Sequence, residues 1–126
     1  MVWSLSLAVV GGYRVQARSE ADQERLLGYA RLLEQCGCFS LVLEAVSAPV
    51  AARITRDLAI PTIGIGAGPE CDGQVLVVYD MLGLTEEFKP RFVRRYSELA
   101  EHLRGAFTQY ITDVKGREFP KKKESY

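Results

Sequence analysis

The chain has 126 residues, of which 48% are hydrophobic and 25% charged, and its sixteen basic residues balance its sixteen acidic ones. This length and composition are typical of one globular domain and argue against disorder. The balanced charge excludes a whole-molecule field that would attract nucleic acid or an acidic membrane. No run is long enough to span a bilayer. The cysteines match no metal or redox spacing, which indicates reduced thiols of an intracellular protein: Cys36, Cys38 and Cys71.

The first clear helix of the sequence begins at Ser19. Ser19 and Asp22 have nearly the spacing of a capping box, and the apolar residues that follow repeat at helical intervals. Gly37 is placed to end this helix. Before it, residues 1–12 fit either a strand with a loop or a short helix. Residues 13–18 fit either a surface connection or a loop beside a pocket.

A buried strand is predicted over residues 40–45, because three aliphatic residues in a row are typical of a parallel strand covered on both faces. Glu44 closes this apolar run. Chemistry in parallel α/β proteins collects at the carboxyl ends of strands, so Glu44 is a candidate catalytic acid or base. An ion pair with Arg14, Arg18 or Arg53 explains it equally well, and the residues alone leave the two interpretations even.

A second helix and a second strand follow. Ser47 is predicted to cap the helix, with Pro49 in its first turn and Val50, Ile54 and Leu58 as its buried stripe. The second buried strand covers residues 62–65 and runs into three glycines: Gly64, Gly66 and Gly68. Their spacing fits neither the dinucleotide fingerprint nor a phosphate-binding P-loop. We therefore expect them to allow close approach to a side chain or substrate.

A third apolar run covers residues 74–79 and ends at Asp80. Its length indicates a strand, with the alternative that Asp72 caps a short helix here. If the run is a strand, Glu44 and Asp80 lie at the same rim of a parallel sheet. Two carboxylates there can divide acid and base roles or help to hold a metal, and a structural ion pair again explains either one.

The last element is a long helix predicted from Pro90 to Gly116, with residues 117–126 as a flexible tail and His102 as a surface or boundary residue rather than a catalyst. Its apolar stripe is Phe92, Tyr96, Leu99, Leu103, Phe107, Tyr110 and Val114. The order of elements predicts one parallel α/β domain over residues 1–126. A closed barrel needs eight strands, so the chain fits half a barrel or a small open sheet.

Five segments in one register resemble the ketopantoate hydroxymethyltransferase family. They are GGYRVQ (11–16), LVLEAV (41–46), IPTIGIGAG (60–68), DGQVLV (72–77) and DMLGL (80–84). The resemblance implies an α/β fold that is the C-terminal half of a TIM-type (β/α)8 barrel of the phosphoenolpyruvate mutase and isocitrate lyase superfamily. It also implies that Glu44 is the proton acceptor, at the end of the sixth strand. The segment 64–68 would follow the seventh strand, and 74–79 would be the eighth.

The family resemblance further implies transfer of a one-carbon unit from 5,10-methylenetetrahydrofolate to the 2-oxo acid 3-methyl-2-oxobutanoate, in pantothenate biosynthesis. The family uses Mg²⁺, whose ligands lie in the N-terminal half that this sequence does not match, so no residue here is assigned as a metal ligand. The partners it implies are this 2-oxo acid, the folate and further copies of the chain in a homo-oligomer. The implied location is cytoplasmic, or mitochondrial in a eukaryote.

Because the sequence matches only half of a family chain, we expect it to be inactive alone. The alternative is a non-catalytic half-barrel that serves as a structural or regulatory subunit. A third hypothesis, a small phosphate-binding module built on residues 64–68, requires nucleotide binding that does not depend on a 2-oxo acid.

Overall fold

The computed structural model describes residues 19–87 and 89–126, so the expectations for residues 1–18 lie outside the described part. The chain divides into two compact units, the first ending at Leu76 and the second running from Val77 to Tyr126. The prediction of one partial barrel domain over residues 1–126 stays a prediction.

The first unit is an α/β structure built on a small parallel sheet, which confirms the predicted fold class at that level. Its elements are α1 (Glu20–Gln35), β1 (Leu41–Glu44), α2 (Ala48–Asp57), β2 (Thr62–Ile65) and β3 (Gly73–Gln74). The strands are all parallel and lie in the order β1-β2-β3. Three strands do not close a barrel, and the barrel prediction is taken up below as a proposal.

Helix α1 begins and ends where the sequence predicts. The Ser19 hydroxyl oxygen accepts from the N–H of Asp22 at 3.1 Å, which satisfies one of the unpaired donors of the first turn. At the other end Gly37 has a left-handed backbone with φ +88, and the N–H of Cys38 donates to the carbonyl of Leu33 at 3.1 Å. This is the Schellman arrangement, in which glycine avoids the clash that a Cβ would cause.

Helix α2 also follows the prediction, with one difference at its start. Ser47 occupies the N-cap position and Pro49 the first turn, but the Ser47 side chain makes no capping hydrogen bond. Val50 and Ile54 are buried, whereas Leu58 is the C-cap residue and only half-buried. Apolar burial, rather than the cap, therefore holds this helix to the sheet.

Polar side chains join α1 to α2 along their exposed sides. Arg53 pairs with Glu24 at 2.6 Å, and Arg31 with Asp57 at 2.8 Å. Both pairs are solvent-exposed, so each contributes little to stability. Glu34 of α1 accepts two backbone N–H groups just after α2, at 2.6 and 3.1 Å, and so fixes the turn that leads into β2.

One face of the sheet carries the core, and the side chains on the other face are half-buried or exposed. The core cluster contains Leu27, Ala30, Leu41, Leu43, Val46, Val50, Ala51, Ile54, Ala67 and Cys71. Side chains alternate along a strand, so Val42 and Glu44 lie on the opposite face. Val42 is half-buried and Glu44 is exposed. The prediction that β1 is buried on both faces is wrong for these residues.

The predicted strand over residues 74–79 is also wrong beyond its first residue. Strand β3 is only Gly73–Gln74, and one further bond joins the N–H of Val75 to the carbonyl of Gly64 at 3.0 Å. In the rest of the run Leu76 is half-buried and the other residues are exposed, and Val78–Met81 form a short helix, α3, in the second unit. Without a strand beside it among the described residues, this apolar run has no ladder to join. The alternative of a helix capped by Asp72 is wrong as well.

The second unit contains α3, a longer helix α4 (Leu99–Lys115) and a short 3-10 helix, Lys122–Glu124. The prediction that the long helix starts at Pro90 is wrong by nine residues, because α4 starts at Leu99. The N–H groups of Tyr96 and Leu99 donate instead to the carbonyls of Met81 and Leu82, at 2.8 and 2.9 Å. These bonds tie the incoming chain to the turn after α3 rather than to a preceding helical turn.

Helix α4 buries none of its residues, although its apolar stripe has the predicted helical spacing. His102 is exposed, as predicted. The helix ends with Gly116 as C-cap, but the left-handed residue is Arg117, with φ +60. Residues 117–126 are exposed, and their flexibility stays a prediction. No helix in the described ranges is long and apolar enough to cross a membrane.

Candidate active site

Glu44 is the last residue of β1, at the carboxyl end of a parallel pair in which it lies opposite Ile65 of β2. Its side chain is exposed and points to the face away from the helices, because the neighbouring Leu43 is buried in the core. An exposed carboxylate in this position can reach a molecule placed beside the end of the strand. The structure thus puts Glu44 at a strand end, where the sequence placed it.

The residue after Glu44 has an unusual backbone. Ala45 has φ +52, in the left-handed region that residues with a Cβ seldom adopt. Its N–H donates to the carbonyl of Ile65 at 2.9 Å, so the ladder between the strands continues one step past Glu44. Val46 then turns into the core. Nothing in the sequence indicated this turn, since alanine gives no turn signal.

The glycine segment after β2 allows two close approaches within the chain. A Cβ on Gly64 would lie 3.0 Å from the sulfur of Cys71, and one on Gly68 would lie 2.5 Å from the Cβ of Ala48 at the start of α2. Gly68 also has φ +86. The close-approach interpretation is therefore confirmed at both positions, with the chain's own side chains as neighbours.

Asp72 anchors the return from β2 to β3, a role that the sequence analysis missed. Its carboxylate accepts from the backbone N–H of Thr62 at 2.8 Å and from the Thr62 hydroxyl at 3.1 Å. These two bonds, the backbone one first, hold the pKa of Asp72 below its ordinary value. Thr62 is completely buried, so the carboxylate also satisfies polar groups that have no access to water.

Gln74 holds the other end of the same return. Its side-chain amide donates to the carbonyl of Gly68 at 2.9 Å. Residues 66–72 contain no helix and are shorter than the usual crossover between parallel strands. Anchors at both ends let this short link pass back along the sheet, and they fix the loop beside the rim that carries Glu44.

The other candidate residues are not joined to Glu44 by any described contact. Asp80 lies within α3 in the second unit, so the prediction that it ends a strand is wrong. Arg53, one proposed ion-pair partner, binds Glu24 instead. Arg14 and Arg18 lie outside the described residues. Among the residues that the structure describes, no ion pair includes Glu44.

The described residues do not by themselves fit a magnesium site. Within residues 19–87 and 89–126, no group of three or more His, Cys, Asp or Glu side chains is placed to hold a metal. Mg²⁺ requires oxygen ligands in near-octahedral geometry, and at this rim the described residues offer the carboxylate of Glu44. Any metal at this rim would therefore need ligands from beyond the described residues.

Comparison with known proteins identifies the family of the chain. A family model described as ketopantoate hydroxymethyltransferase matches residues 4–122. The chain is 57% identical over 120 residues to a 3-methyl-2-oxobutanoate hydroxymethyltransferase of Oleidesulfovibrio alaskensis, covering 95% of the chain and 42% of that relative. It is 53% identical over 121 residues to the protein of the same name in Syntrophus aciditrophicus, covering 96% of the chain and 44% of the relative.

A third relative of that name, from Porphyromonas gingivalis, is 54% identical over 121 residues, again with 96% of the chain and 44% of the relative covered. The chain thus spans less than half the length of the curated relatives that it matches. The family model nevertheless covers nearly all of the chain. The chain belongs to the ketopantoate hydroxymethyltransferase family.

Proposed function

We propose that the chain is the part of a 3-methyl-2-oxobutanoate hydroxymethyltransferase that carries the catalytic base, Glu44. The reaction moves a one-carbon unit from 5,10-methylenetetrahydrofolate to 3-methyl-2-oxobutanoate and gives 2-dehydropantoate, a step of pantothenate biosynthesis. The observation that carries the proposal is the position of Glu44, exposed at the end of β1 on the face opposite the helices. We place the protein in the cytoplasm, or in the mitochondrion of a eukaryote.

The arrangement of layers supports the proposal that the chain is half of a (β/α)8 barrel. Both helices of the first unit pack on one face of parallel strands, as the outer helices of such a barrel do. The opposite face, with Val42, Glu44, Ile63 and Ile65, would line the barrel interior. In that fold β1, β2 and β3 correspond to the sixth, seventh and eighth strands, and the active site lies at their carboxyl ends.

In the proposed mechanism, Glu44 removes the proton from C3 of the 2-oxo acid. The C–H electron pair becomes available to form the new carbon–carbon bond to the one-carbon unit, and water supplies the hydroxyl oxygen as tetrahydrofolate leaves. A positioned carboxylate of this kind contributes about 10²–10⁴-fold to a proton transfer. Magnesium ligands would come from the part of the fold that these residues do not supply.

A chimeric enzyme tests this proposal. In it, the chain replaces the matching segment of the Oleidesulfovibrio alaskensis relative, which restores full family length. We expect Glu44→Gln to lower kcat by at least about 10²-fold, with substrate and Mg²⁺ affinity little changed. Glu20→Gln, at an exposed carboxylate in the first turn of α1, is the matched control and should leave kcat unchanged. Near-normal turnover of Glu44→Gln would remove Glu44 from the mechanism.

The isolated chain should give no turnover, since it supplies Glu44 without the rest of the site. Formation of 2-dehydropantoate by the purified 126-residue protein with Mg²⁺, 3-methyl-2-oxobutanoate and 5,10-methylenetetrahydrofolate would contradict this expectation.

A second function, that of a structural or regulatory subunit, is favoured by the exposed apolar stripe of α4. Leu103, Phe107, Tyr110 and Val114 are all exposed on this helix, which is unusual for a stripe at helical spacing. Co-expression with the N-terminal part of the same relative, followed by light scattering and an activity assay, separates the two functions. Restored activity supports the enzyme, and a stable inert assembly supports the subunit. The same measurement tests the proposed homo-oligomer.

A further inference from the structure

The alternation of side chains along β1 breaks immediately after Glu44. Leu41 and Leu43 are buried in the core, so a regular continuation would bury residue 45 and place Val46 on the face of Glu44. The structure shows the opposite order. Val46 is only 5% exposed and belongs to the core cluster, whereas Ala45 is half-buried outside it.

The left-handed backbone of Ala45 accounts for this break. With φ +52, Ala45 turns the chain by one residue out of the strand pattern, as the extra residue of a β-bulge does. The turn occurs after the last ladder bond, because the N–H of Ala45 still donates to the carbonyl of Ile65 at 2.9 Å. Glu44 therefore keeps its position opposite Ile65, while the side chain of Val46 turns into the core.

The consequence for Glu44 is that its carboxylate stays accessible. In an extended strand the branched side chain of Val46 would stand two residues away on the same face, beside the carboxylate. In the structure that side chain is in the core, and Glu44 is exposed. The left-handed region is unfavourable for a residue with a Cβ, and a β-branched residue almost never adopts it. The backbone at position 45 therefore decides what lies next to Glu44.

We propose that Ala45 is a positioning residue for Glu44, whose left-handed turn diverts Val46 into the core and leaves the carboxylate open to substrate. For catalysis this inference rests on the proposed role of Glu44. The geometric part stands without it and can be measured on the 126-residue chain itself. The two parts are therefore tested separately.

Carboxyl labelling of the 126-residue chain tests the geometry. The probe is a water-soluble carbodiimide with glycine ethyl ester, and mass spectrometry gives the rate at Glu44 relative to the exposed Glu20. Ala45→Val disfavours the left-handed turn, so we expect the relative rate at Glu44 to fall about tenfold. Ala45→Gly and Ala45→Asn accept a left-handed backbone and should label like the wild type.

Arg117→Val is the matched control, because Arg117 is the other described non-glycine residue with positive φ and lies at the end of α4. It should leave labelling at Glu44 unchanged. A wild-type rate in folded Ala45→Val would overturn the proposal. So would a reduced rate in Ala45→Asn, since side-chain size rather than backbone would then control access. If Ala45→Val does not fold, the glycine and asparagine variants decide the question.

The chimeric enzyme tests the catalytic part. We expect Ala45→Val to lower kcat about tenfold with KM little changed, and Ala45→Gly to keep wild-type kcat. Loss of kcat in Ala45→Gly as well would overturn the positioning role. Full activity of Glu44→Gln would instead refute the proposed function, and the labelling result for Ala45 would still hold.

Discussion

Helices α1 and α4 are similar in length but differ in burial. They have 16 and 17 residues, and each carries an apolar stripe and ends in a left-handed turn. Leu27 of α1 is only 2% exposed, whereas Leu103 of α4 is 41% exposed. The same sequence pattern therefore produces a core helix in the first unit and an unburied helix in the second. Periodicity predicts that a helix forms and says little about what covers it.

The two helices are also stabilised differently. In α1, Ser19 caps the first turn and the apolar face packs in the core. In α4, the N-cap residue Glu98 makes no side-chain cap bond. Solvent-exposed hydrogen bonds are found on this helix instead. Two guanidinium nitrogens of Arg104 donate to the carboxylate of Glu86, and the Thr108 hydroxyl donates to the carbonyl of Arg104 at 2.8 Å. Exposed bonds of this kind contribute less than apolar burial.

The same substitution in both helices measures this contrast and should give the largest effect. Leu27→Ala leaves a cavity in the core, so we expect it to lower the free energy of unfolding of the first unit by about 2–5 kcal/mol. Leu103→Ala, at an exposed position, should change that of the second unit by less than about 1 kcal/mol. Urea unfolding followed by the NMR signals of each unit gives both values. Equal losses would mean that the stripe of α4 is covered in solution.

Substitutions at the C-terminal ends of the two helices should give smaller changes in the free energy of unfolding, of opposite sign in the two units. Gly37 of α1 and Arg117 of α4 both have positive φ, but only one of them is glycine. Gly37→Ala should therefore destabilise the first unit by about 1 kcal/mol, and Arg117→Gly should stabilise the second by up to about 1 kcal/mol. The same unfolding experiment applies. A stabilising effect of Gly37→Ala would contradict the left-handed turn after α1.

Two carboxylates with lowered pKa values extend the comparison to pH and salt. Thr62 lowers the pKa of Asp72 in the first unit, and Arg104 lowers that of Glu86 in the second. Each contribution to stability is complete above the ordinary carboxyl pKa of about 4 and is lost as pH falls through the lower folded value. Salt should weaken the contribution of Glu86 to stability, because it screens the charge of Arg104. The contribution of Asp72 should not change with salt, because its hydrogen-bond donors are uncharged.

Acid unfolding at low and at high salt, followed unit by unit, measures this difference. Asp72→Asn should remove the corresponding pH dependence from the first unit only, and Glu86→Gln from the second. A salt-sensitive acid transition in the first unit that survives in Asp72→Asn would show that other groups control it.

Local sequence signals predicted α1, α2, β1, β2 and the place of Glu44, because caps, helical periodicity and aliphatic runs act over a few residues. The failures have non-local causes. The run after Gln74 lacks a neighbouring strand in the described structure, and Leu99 starts α4 because the preceding backbone binds the turn after α3. The turn at Ala45 gave no signal, since it depends on the fit of Val46 in the core.

The short return between β2 and β3 has a consequence for the entropy of the chain. Residues 45–61 connect β1 to β2, whereas residues 66–72 connect β2 to β3. A link about 2.4 times shorter lowers the loop-closure cost by about 0.8 kcal/mol. Gly66 and Gly68, both with positive φ, lose more conformational freedom on folding than other residues would, by about 0.5–1 kcal/mol each. The two glycines together cost about 1–2 kcal/mol, which exceeds the saving of about 0.8 kcal/mol, so the short connection gives no net entropic gain on folding.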